Sequence, residues 1–135
     1  MNNSKLLVLE GNPIPLARSR FNKNTLHLYD SQRTERVHTR LMLEYLWGDS
    51  PPLTGNLYLD VAFHLPIPKS LSIKVQRSLV ATPHSKKPDA SNLLKWVEDI
   101  GNGIAWHDDA MFVDIRVKKV YSLEPKTVFV VGVLR

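Results

Sequence analysis

The amino-acid sequence predicts an α+β fold in a single domain, with a mixed β-sheet of about four strands and two main helices. Two patterns favour this class. Apolar and polar residues alternate over residues 57–65, as in a half-buried strand, whereas residues 31–47 and 89–100 repeat apolar residues at helical spacing. The order of strand, helix, strand, basic segment, helix, strand and strand then favours helices grouped against one sheet. A chain of 135 residues is long enough for one such core.

The first half of the chain is expected to contain two strands and a helix. Residues 6–10 are a short apolar run that predicts the first strand, and the alternating residues 57–65 predict the second. Between them, residues 31–47 have the spacing of an amphipathic helix, and its apolar stripe is expected to face the core. The residues of that predicted stripe are Val37, Leu41 and Tyr45, with Met42 and Leu46 beside them.

The second half is expected to contain a basic segment, a helix and two strands. Within the basic residues 69–87, apolar residues recur at helical spacing and predict a short helix, and residues 89–100 predict the second main helix. Residues 111–121 and 127–134 predict two strands joined as an antiparallel hairpin. The residues expected to face the core from the second main helix are Leu93, Val97 and Ile100.

The chain carries a formal net charge of +5 and has no cysteine. The positive charge favours a polyanionic partner, which composition alone leaves open between a nucleic acid and an anionic membrane. The lack of cysteine excludes disulfides and thiolate metal ligands, and it suits a reducing cytoplasm. No signal peptide or long apolar run is evident, so we expect a soluble, cytoplasmic protein without a membrane-spanning segment.

Three acidic residues in the second half of the chain favour a metal site. Asp89 follows Pro88, which disfavours helix at the residue before it, so Asp89 is expected at a helix N-terminus. Asp108 and Asp109, the acidic pair, stand side by side where a loop meets a strand. If that strand packs beside the helix, the three carboxylates meet at one end, and a divalent cation such as Mg²⁺ relieves their repulsion. The structural alternative is that Asp89 caps the helix and the pair forms a turn.

Two basic segments that precede this predicted site in the chain favour contacts with phosphate groups. Arg18 and Arg20 lie one residue apart, so on an extended segment they point the same way. Residues 66–88, which we call the basic arm, contain no acidic residue and lead directly into Asp89. Such an arm is suited to hold a nucleic-acid backbone, and a solvated surface is the alternative for both segments. The candidate DNA-binding residues are Arg18, Arg20, Lys69, Lys74, Arg77, Lys86 and Lys87.

The second half of the chain contains the stretch KKPDASNLLKWVEDIGNGIAWHDD. This stretch resembles the signature of the RusA family of Holliday junction resolvases, approximately KPD-x-DNL-x-K…D-x-L-N-G…DD. The resemblance extends upstream to residues 11–20, which are similar to the family's G-x-P-x-x-x-x-R-x-R, and so covers most of the chain. It implies a RusA-like fold and a homodimer that acts as a crossover junction endodeoxyribonuclease on four-way DNA junctions in recombination and repair. The implied cofactor is Mg²⁺, with Mn²⁺ as the other candidate.

The resemblance also implies roles for individual residues. Asp89 matches the family's first catalytic aspartate, and Lys95 matches its catalytic lysine. Asp108 and Asp109 match the acidic pair, of which the second is the essential ligand. The implied metal ligands are therefore Asp89, Asp108 and Asp109, and the implied catalytic residues are Asp89, Lys95 and Asp109. Lys95 is expected to stabilise the charge that develops on the scissile phosphate.

Ser91 departs from the signature, because the family has its second aspartate there. A hydroxyl can contact a cation but brings no negative charge, so Ser91 is a candidate ligand of a weakened site. Asp99, one turn after Lys95, is a further candidate that would bind the cation or orient the lysine. Three functions stay open: an active junction endonuclease, a DNA-binding protein of the same fold with impaired metal chemistry, and a metal-dependent phosphohydrolase of smaller esters.

Overall fold

The computed structural model describes residues 4–17 and 20–134, and within that part it leaves the side chains of residues 20–22 and 27–29 undescribed. The elements in these ranges, in chain order, are β1 (Lys5–Glu10), β2 (Arg20–Asn22), β3 (His27–Tyr29), α1 (Arg33–Trp47), β4 (Leu57–Pro66), α2 (Ile73–Leu79), α3 (Ala90–Gly101), β5 (Phe112–Ser122) and β6 (Lys126–Val133). A single 3₁₀ turn, Asp109–Met111, precedes β5.

Four of the strands form one mixed sheet in the order β1-β6-β4-β5. β4 and β5 run parallel, whereas β6 lies antiparallel to both β1 and β4. The long helices α1 and α3 pack on this sheet, so the predicted α+β class with a mixed four-stranded sheet and two main helices is confirmed. The short α2 forms inside the basic arm as predicted, and β2 and β3 add a small second sheet that was not predicted. Among the helices in the described ranges, none has the length and apolar character needed to cross a membrane.

The predicted β5–β6 hairpin is wrong, because β4 lies between these two strands. Ser122 at the end of β5 pairs with Pro66 at the end of β4, and Lys126 at the start of β6 pairs with His64. The connection 123–125 therefore crosses over the end of β4. Two strand spacings amount to about 10 Å, and four extended residue steps reach about 13 Å, so even this short loop spans the gap. Loop length alone does not distinguish a hairpin from this crossing.

The core lies between one face of the sheet and the two long helices. The alternation predicted over residues 57–65 is confirmed, because every second residue of β4 is buried. The core residues predicted for α3 are also confirmed, each being no more than 1% exposed. Burying side chains of this size contributes about 1.5–3 kcal/mol each, so α3 is firmly anchored and its polar face has a defined direction. The buried residues at these predicted positions of β4 and α3 include Leu57, Leu59, Val61, Phe63, Leu93, Val97 and Ile100.

The apolar stripe predicted to face the core from α1 is wrong. Val37, Leu41 and Tyr45 are 52%, 60% and 86% exposed. Met42 is half-buried and Leu46 is exposed. Two faces of this helix carry large apolar residues, so periodicity alone did not select the correct one. The buried residues of α1 are Thr39, Leu43 and Trp47.

Two arginines account for the observed rotation of α1. Arg36 Nε donates to Asp99 Oδ2 at 2.7 Å, and Arg40 Nη1 donates to the carbonyl oxygens of Ile100 and Asn102 at 3.1 and 3.0 Å. Carbonyl groups at the C-terminal end of a helix lack partners within the helix and favour a cation. Both arginines face α3. Thr39, Leu43 and Trp47 follow them on the same side of α1 at helical spacing, so these residues are turned into the core.

Trp106 anchors the loop that follows α3. Its ring is fully buried and packs edge-on against Phe112 and Phe129, and its Nε1 donates to the carbonyl oxygen of Glu98 at 3.2 Å. A Cβ added to Gly101 would overlap this ring, so glycine is required at the end of α3 while the tryptophan lies there. The anchored loop brings the acidic pair beside the last turn of α3.

Candidate active site

Asp109 is held at the C-terminal end of α3 by Asn102. The side-chain amide of Asn102 donates to Asp109 Oδ2 at 3.2 Å, and the backbone N–H of Asp109 donates to Asn102 Oδ1 at 2.9 Å. Both residues are half-buried. The neighbouring Asp108 is exposed, and its Oδ1 accepts the N–H of Ala110 at 2.9 Å, which caps the 3₁₀ turn. The carboxylate of Asp109 therefore has a fixed direction and retains lone pairs for a further partner.

Glu98 belongs to the same neighbourhood and was not among the predicted site residues. Burial raises the pKa of its carboxyl, the negative charge of Asp109 raises that pKa further, and the positive charge of Lys95 lowers it. Lys95, Glu98 and Asn102 lie three and four residues apart, so they share one face of α3. This polar face carries an ammonium, a carboxylate and an amide next to Asp109. Their spacing was the signal in the sequence, but ordinary solvated helices show the same spacing.

We expect Asn102→Ala to lower the free energy of unfolding by about 1–3 kcal/mol, because it removes two hydrogen bonds at a half-buried position. Urea unfolding followed by circular dichroism measures this loss. Arg40 binds Asn102 through the backbone carbonyl, which the variant keeps, so the loss reports on the side chain. Asn102→Asp is the comparison variant: it places a second carboxylate against Asp109, and its loss should be larger at pH 7 than at pH 4. Wild-type stability in Asn102→Ala would contradict the restraining role.

We expect Asp109→Asn to lower the pKa of Glu98 towards its ordinary value, because one of the charges that raise it is removed. Lys95→Met should raise the same pKa further, because the opposing positive charge is lost. An NMR titration of the Glu98 side-chain carbon measures both changes. Asp114→Asn is the matched control, since Asp114 lies on the sheet face away from α3. A Glu98 pKa that is the same in wild type and Asp109→Asn would show that the two carboxylates do not interact.

Asp89 lies at the opposite end of α3. It is the N-cap residue, and its backbone carbonyl accepts the N–H of Leu93 at 3.1 Å. Its side chain is exposed and makes no capping hydrogen bond, so the carboxylate does not serve as the cap. The helix rises by 1.5 Å per residue, which places Asp89 and Asn102 about 20 Å apart along the axis. The prediction of Asp89 at a helix N-terminus is confirmed.

Within one chain, Asp89 and the acidic pair lie at opposite ends of α3. The sequence had instead predicted that the three carboxylates meet at one end of the helix. The acidic pair follows the C-terminal end of α3, and β5 then runs back towards the N-terminal end. In residues 4–17 and 20–134, no three acidic, histidine or cysteine side chains are grouped closely enough to hold one metal ion. Asp99 also faces elsewhere: it forms an ion pair with Arg36 of α1, where the sequence suggested Lys95 as its partner.

The segment that precedes Arg18 lies against the first turn of α3. The N–H of Leu16 donates to the carbonyl oxygen of Asn92 at 3.0 Å. The side chain of Gln32 bonds two backbone groups of the same segment, both at 2.8 Å. Arg18 itself lies outside the described residues, and Arg20 begins β2 with its side chain undescribed. The backbone contacts therefore place residues 15–17, which precede Arg18, beside the first turn of α3.

Residues 81–84 of the basic arm pair with the outer edge of β5, and the arm then leads to Asp89. The N–H of Ala81 donates to the carbonyl oxygen of Tyr121 at 2.9 Å, and the N–H of His84 donates to that of Lys119 at 3.1 Å. The rings of His84 and Tyr121 are in contact, with centroids 4.5 Å apart. The arm thus presents exposed cations before it reaches the N-terminal end of α3. Its exposed predicted DNA-binding residues are Lys69, Lys74, Arg77, Lys86 and Lys87.

Comparison with known proteins assigns the chain to a family. A family model described as endodeoxyribonuclease RusA matches residues 10–131. The chain belongs to the RusA family. A curated relative of this RusA-family chain, the uncharacterized protein YqaN of Bacillus subtilis strain 168, is 36% identical over 80 residues. That match covers 55% of this chain and 55% of the relative, so it spans about half the length of each.

The oxygen donors of this RusA-family chain are of the kind that a hard cation such as Mg²⁺ prefers. Asp89 offers a carboxylate at one end of α3, and Asp108, Asp109 and Glu98 offer carboxylates at the other. Ser91, exposed in the first turn of α3, offers a hydroxyl beside Asp89. The donor chemistry therefore fits a divalent cation, and its carboxylates form two groups at opposite ends of α3.

Proposed function

We propose that this RusA-family protein is a Mg²⁺- or Mn²⁺-dependent endonuclease that cleaves four-way DNA junctions in recombination and repair. The observation that carries the proposal is the polar face of α3, where Lys95 lies between Asp89 at one end and the restrained Asp109 at the other. The basic arm, which ends at Asp89, supports a polyanionic substrate. Membership of the RusA family supports DNA rather than a small phosphate ester as that substrate.

We further propose that a homodimer completes the metal site. Within one chain, the two ends of α3 are separated by about 20 Å of helix. A two-fold axis that sets two α3 helices side by side and antiparallel would place Asp89 of one protomer beside the partner's Asp109, and the axis would repeat this pairing at the other end. The dimer would then carry two equivalent sites, which suits a four-way junction with two equivalent strands to cut.

Each residue of the site has a defined role in the proposed cleavage. A divalent cation held by Asp89 and Asp109, with Asp108 beside them, would lower the pKa of a coordinated water and stabilise the leaving oxygen. Asn102 keeps the Asp109 carboxylate in one orientation. Lys95, exposed on the same face of α3, stabilises the negative charge that develops on the phosphate. The basic arm holds the DNA backbone and so orients the strand to be cut.

A cleavage assay that compares a four-way junction with a linear duplex of the same sequence tests the proposal. We expect symmetric cuts in the junction when Mg²⁺ or Mn²⁺ is present, no cuts in the presence of a chelator, and little cleavage of the duplex. Light scattering on the protein as it elutes from a size-exclusion column gives its molar mass and so tests whether it is a dimer. Hydrolysis of a small phosphate ester without any cleavage of DNA would contradict the proposal and favour a phosphohydrolase.

Ser91 favours a second candidate function, a junction-binding RusA relative with impaired metal chemistry. In that case Ser91→Asp, which supplies the carboxylate of the family signature, should tighten Mn²⁺ binding about tenfold or more and raise the cleavage rate. Titration calorimetry and the junction assay measure the two effects. Ser91→Asn is the matched control, because it has the shape of aspartate without the charge. If Ser91→Asp changes neither quantity, the serine does not weaken the site.

A further inference from the structure

Lys119 of β5 holds the turn that carries Asp89. Its Nζ donates to the carbonyl oxygens of Lys86 and Pro88, at 2.6 and 2.8 Å. Its own backbone carbonyl accepts the N–H of His84 at 3.1 Å. One residue of the sheet therefore contacts the last part of the basic arm at three points. Since Pro88 immediately precedes Asp89, the side-chain bonds restrain the peptide that leads into α3.

The position of Lys119 in the sheet explains why it contacts the backbone of this turn. Lys119 is paired with the buried Phe63 in the β4–β5 register, so its side chain leaves the sheet on the face that carries α3. No acidic side chain in the described ranges forms an ion pair with it. A half-buried ammonium requires polar partners, and its hydrogen bonds to carbonyl oxygens are strengthened by the charge. The charge of Lys119 is therefore directed at the turn.

We propose that Lys119 is a positioning residue for Asp89: by restraining the turn at residues 86–88, it holds the Asp89 carboxylate where it can bind the divalent cation. This inference rests on the function proposed above. The side chain of Asp89 makes no capping hydrogen bond, so its location depends on the backbone on either side. The bond from Leu93 restrains the helical side, and the bonds from Lys119 restrain the side of the arm.

Lys118 provides a matched control. It is adjacent to Lys119, carries the same charge and is exposed, but it is paired with Ala62 and so points to the opposite face of the sheet. Lys118→Met and Lys119→Met therefore remove the same charge from β5, and methionine retains most of the unbranched stem. Lys119→Arg keeps both the charge and donors for the two carbonyl groups. Lys119→Gln keeps a neutral donor and replaces Lys119→Met if that variant does not fold.

The first measurement is amide NMR of the 135-residue chain titrated with Mn²⁺, which broadens nearby signals. We expect the signals of Lys87, Asp89 and Ala90 to shift in Lys119→Met and to stay in place in Lys118→Met. Lys119→Met should need about tenfold more Mn²⁺ than wild type to broaden the Asp89 signal, as found when a residue that orients a metal ligand is lost. Equal Mn²⁺ titrations for Lys118→Met and Lys119→Met would overturn the proposal, whether or not the chain cleaves DNA.

The second measurement is junction cleavage under the same conditions. We expect Lys119→Met to lower kcat about tenfold with junction binding unchanged, and Lys119→Arg to restore most of the rate. Weaker junction binding with unchanged kcat would instead make Lys119 a DNA contact and overturn the positioning role. A wild-type chain that binds Mn²⁺ at Asp89 but cuts no DNA would defeat the proposed endonuclease, while the Mn²⁺ titration would still decide the role of Lys119.

Discussion

Replacing Asp109 with asparagine is expected to reduce junction cleavage by about 100-fold or more, while the junction is still bound with equal or higher affinity. Asparagine has the same shape, and the backbone N–H that donates to Asn102 remains, so the turn before β5 should keep its structure. What is lost is the negative charge that a cation requires. Removing a negative charge also reduces the repulsion of DNA phosphates, so binding should not weaken. Single-turnover cleavage and gel-shift titration measure the two effects.

Two further variants make this result specific. Asp114→Asn is the matched control, since it removes an exposed aspartate from β5 on the other face of the sheet and should leave cleavage unchanged. Asp89→Asn should behave like Asp109→Asn, because the proposed site uses both carboxylates. If either Asp89→Asn or Asp109→Asn still cuts the junction at the wild-type rate, the assigned site is refuted.

Mixing Asp89→Asn with Asp109→Asn is expected to restore nicking of the junction, because the proposed sites are shared between protomers. In a mixed dimer one site carries both substitutions and the other carries neither. After random exchange, about half of the dimers are mixed and each has one intact site, so nicking should return to about a quarter of the wild-type level. The products should be nicked junctions, since paired cuts need two intact sites. Denaturing gels of both labelled strands distinguish nicks from paired cuts.

A second mixed dimer gives the opposite result and serves as the control. When the double variant Asp89→Asn/Asp109→Asn is paired with wild type and purified through two different affinity tags, each shared site has lost one carboxylate. A shared-site dimer of this composition should be inactive, whereas a site contained in one chain would leave the wild-type protomer active. Activity in this dimer, together with none in the first mixture, would show that each cut uses carboxylates from one chain.

The sequence predicted those parts of the fold in which the periodic pattern allows only one face of the element to be buried. β4 alternates cleanly, and α3 has one strongly apolar face, so both their existence and their buried residues were predicted. α1 carries large apolar residues on two faces, and its rotation depends on Arg36 and Arg40 meeting the end of α3. The order of β5 and β6 depends on which strand β4 pairs with, which no local pattern encodes.

In the candidate site, too, features set by the local sequence were predicted and features set by tertiary contacts were not. The helix N-terminus at Asp89 was predicted because Pro88 limits the backbone locally. The restraint on Asp109 and the raised pKa of Glu98 were not predicted, because both depend on where the loop anchored by Trp106 returns to α3. The separation of Asp89 from the acidic pair follows from the direction of β5 along α3. Spacing in the sequence cannot give that direction, since the loop could have led back to either end of the helix.

The contact between Gly101 and Trp106 has a consequence for how the family varies. The family signature places leucine where this chain has Gly101, and the indole here occupies the volume that a side chain at that position would fill. A relative with the leucine must therefore accommodate it with a smaller or differently placed residue at the counterpart of Trp106. The two positions should covary across an alignment, with glycine accompanying the bulky ring and leucine accompanying its absence.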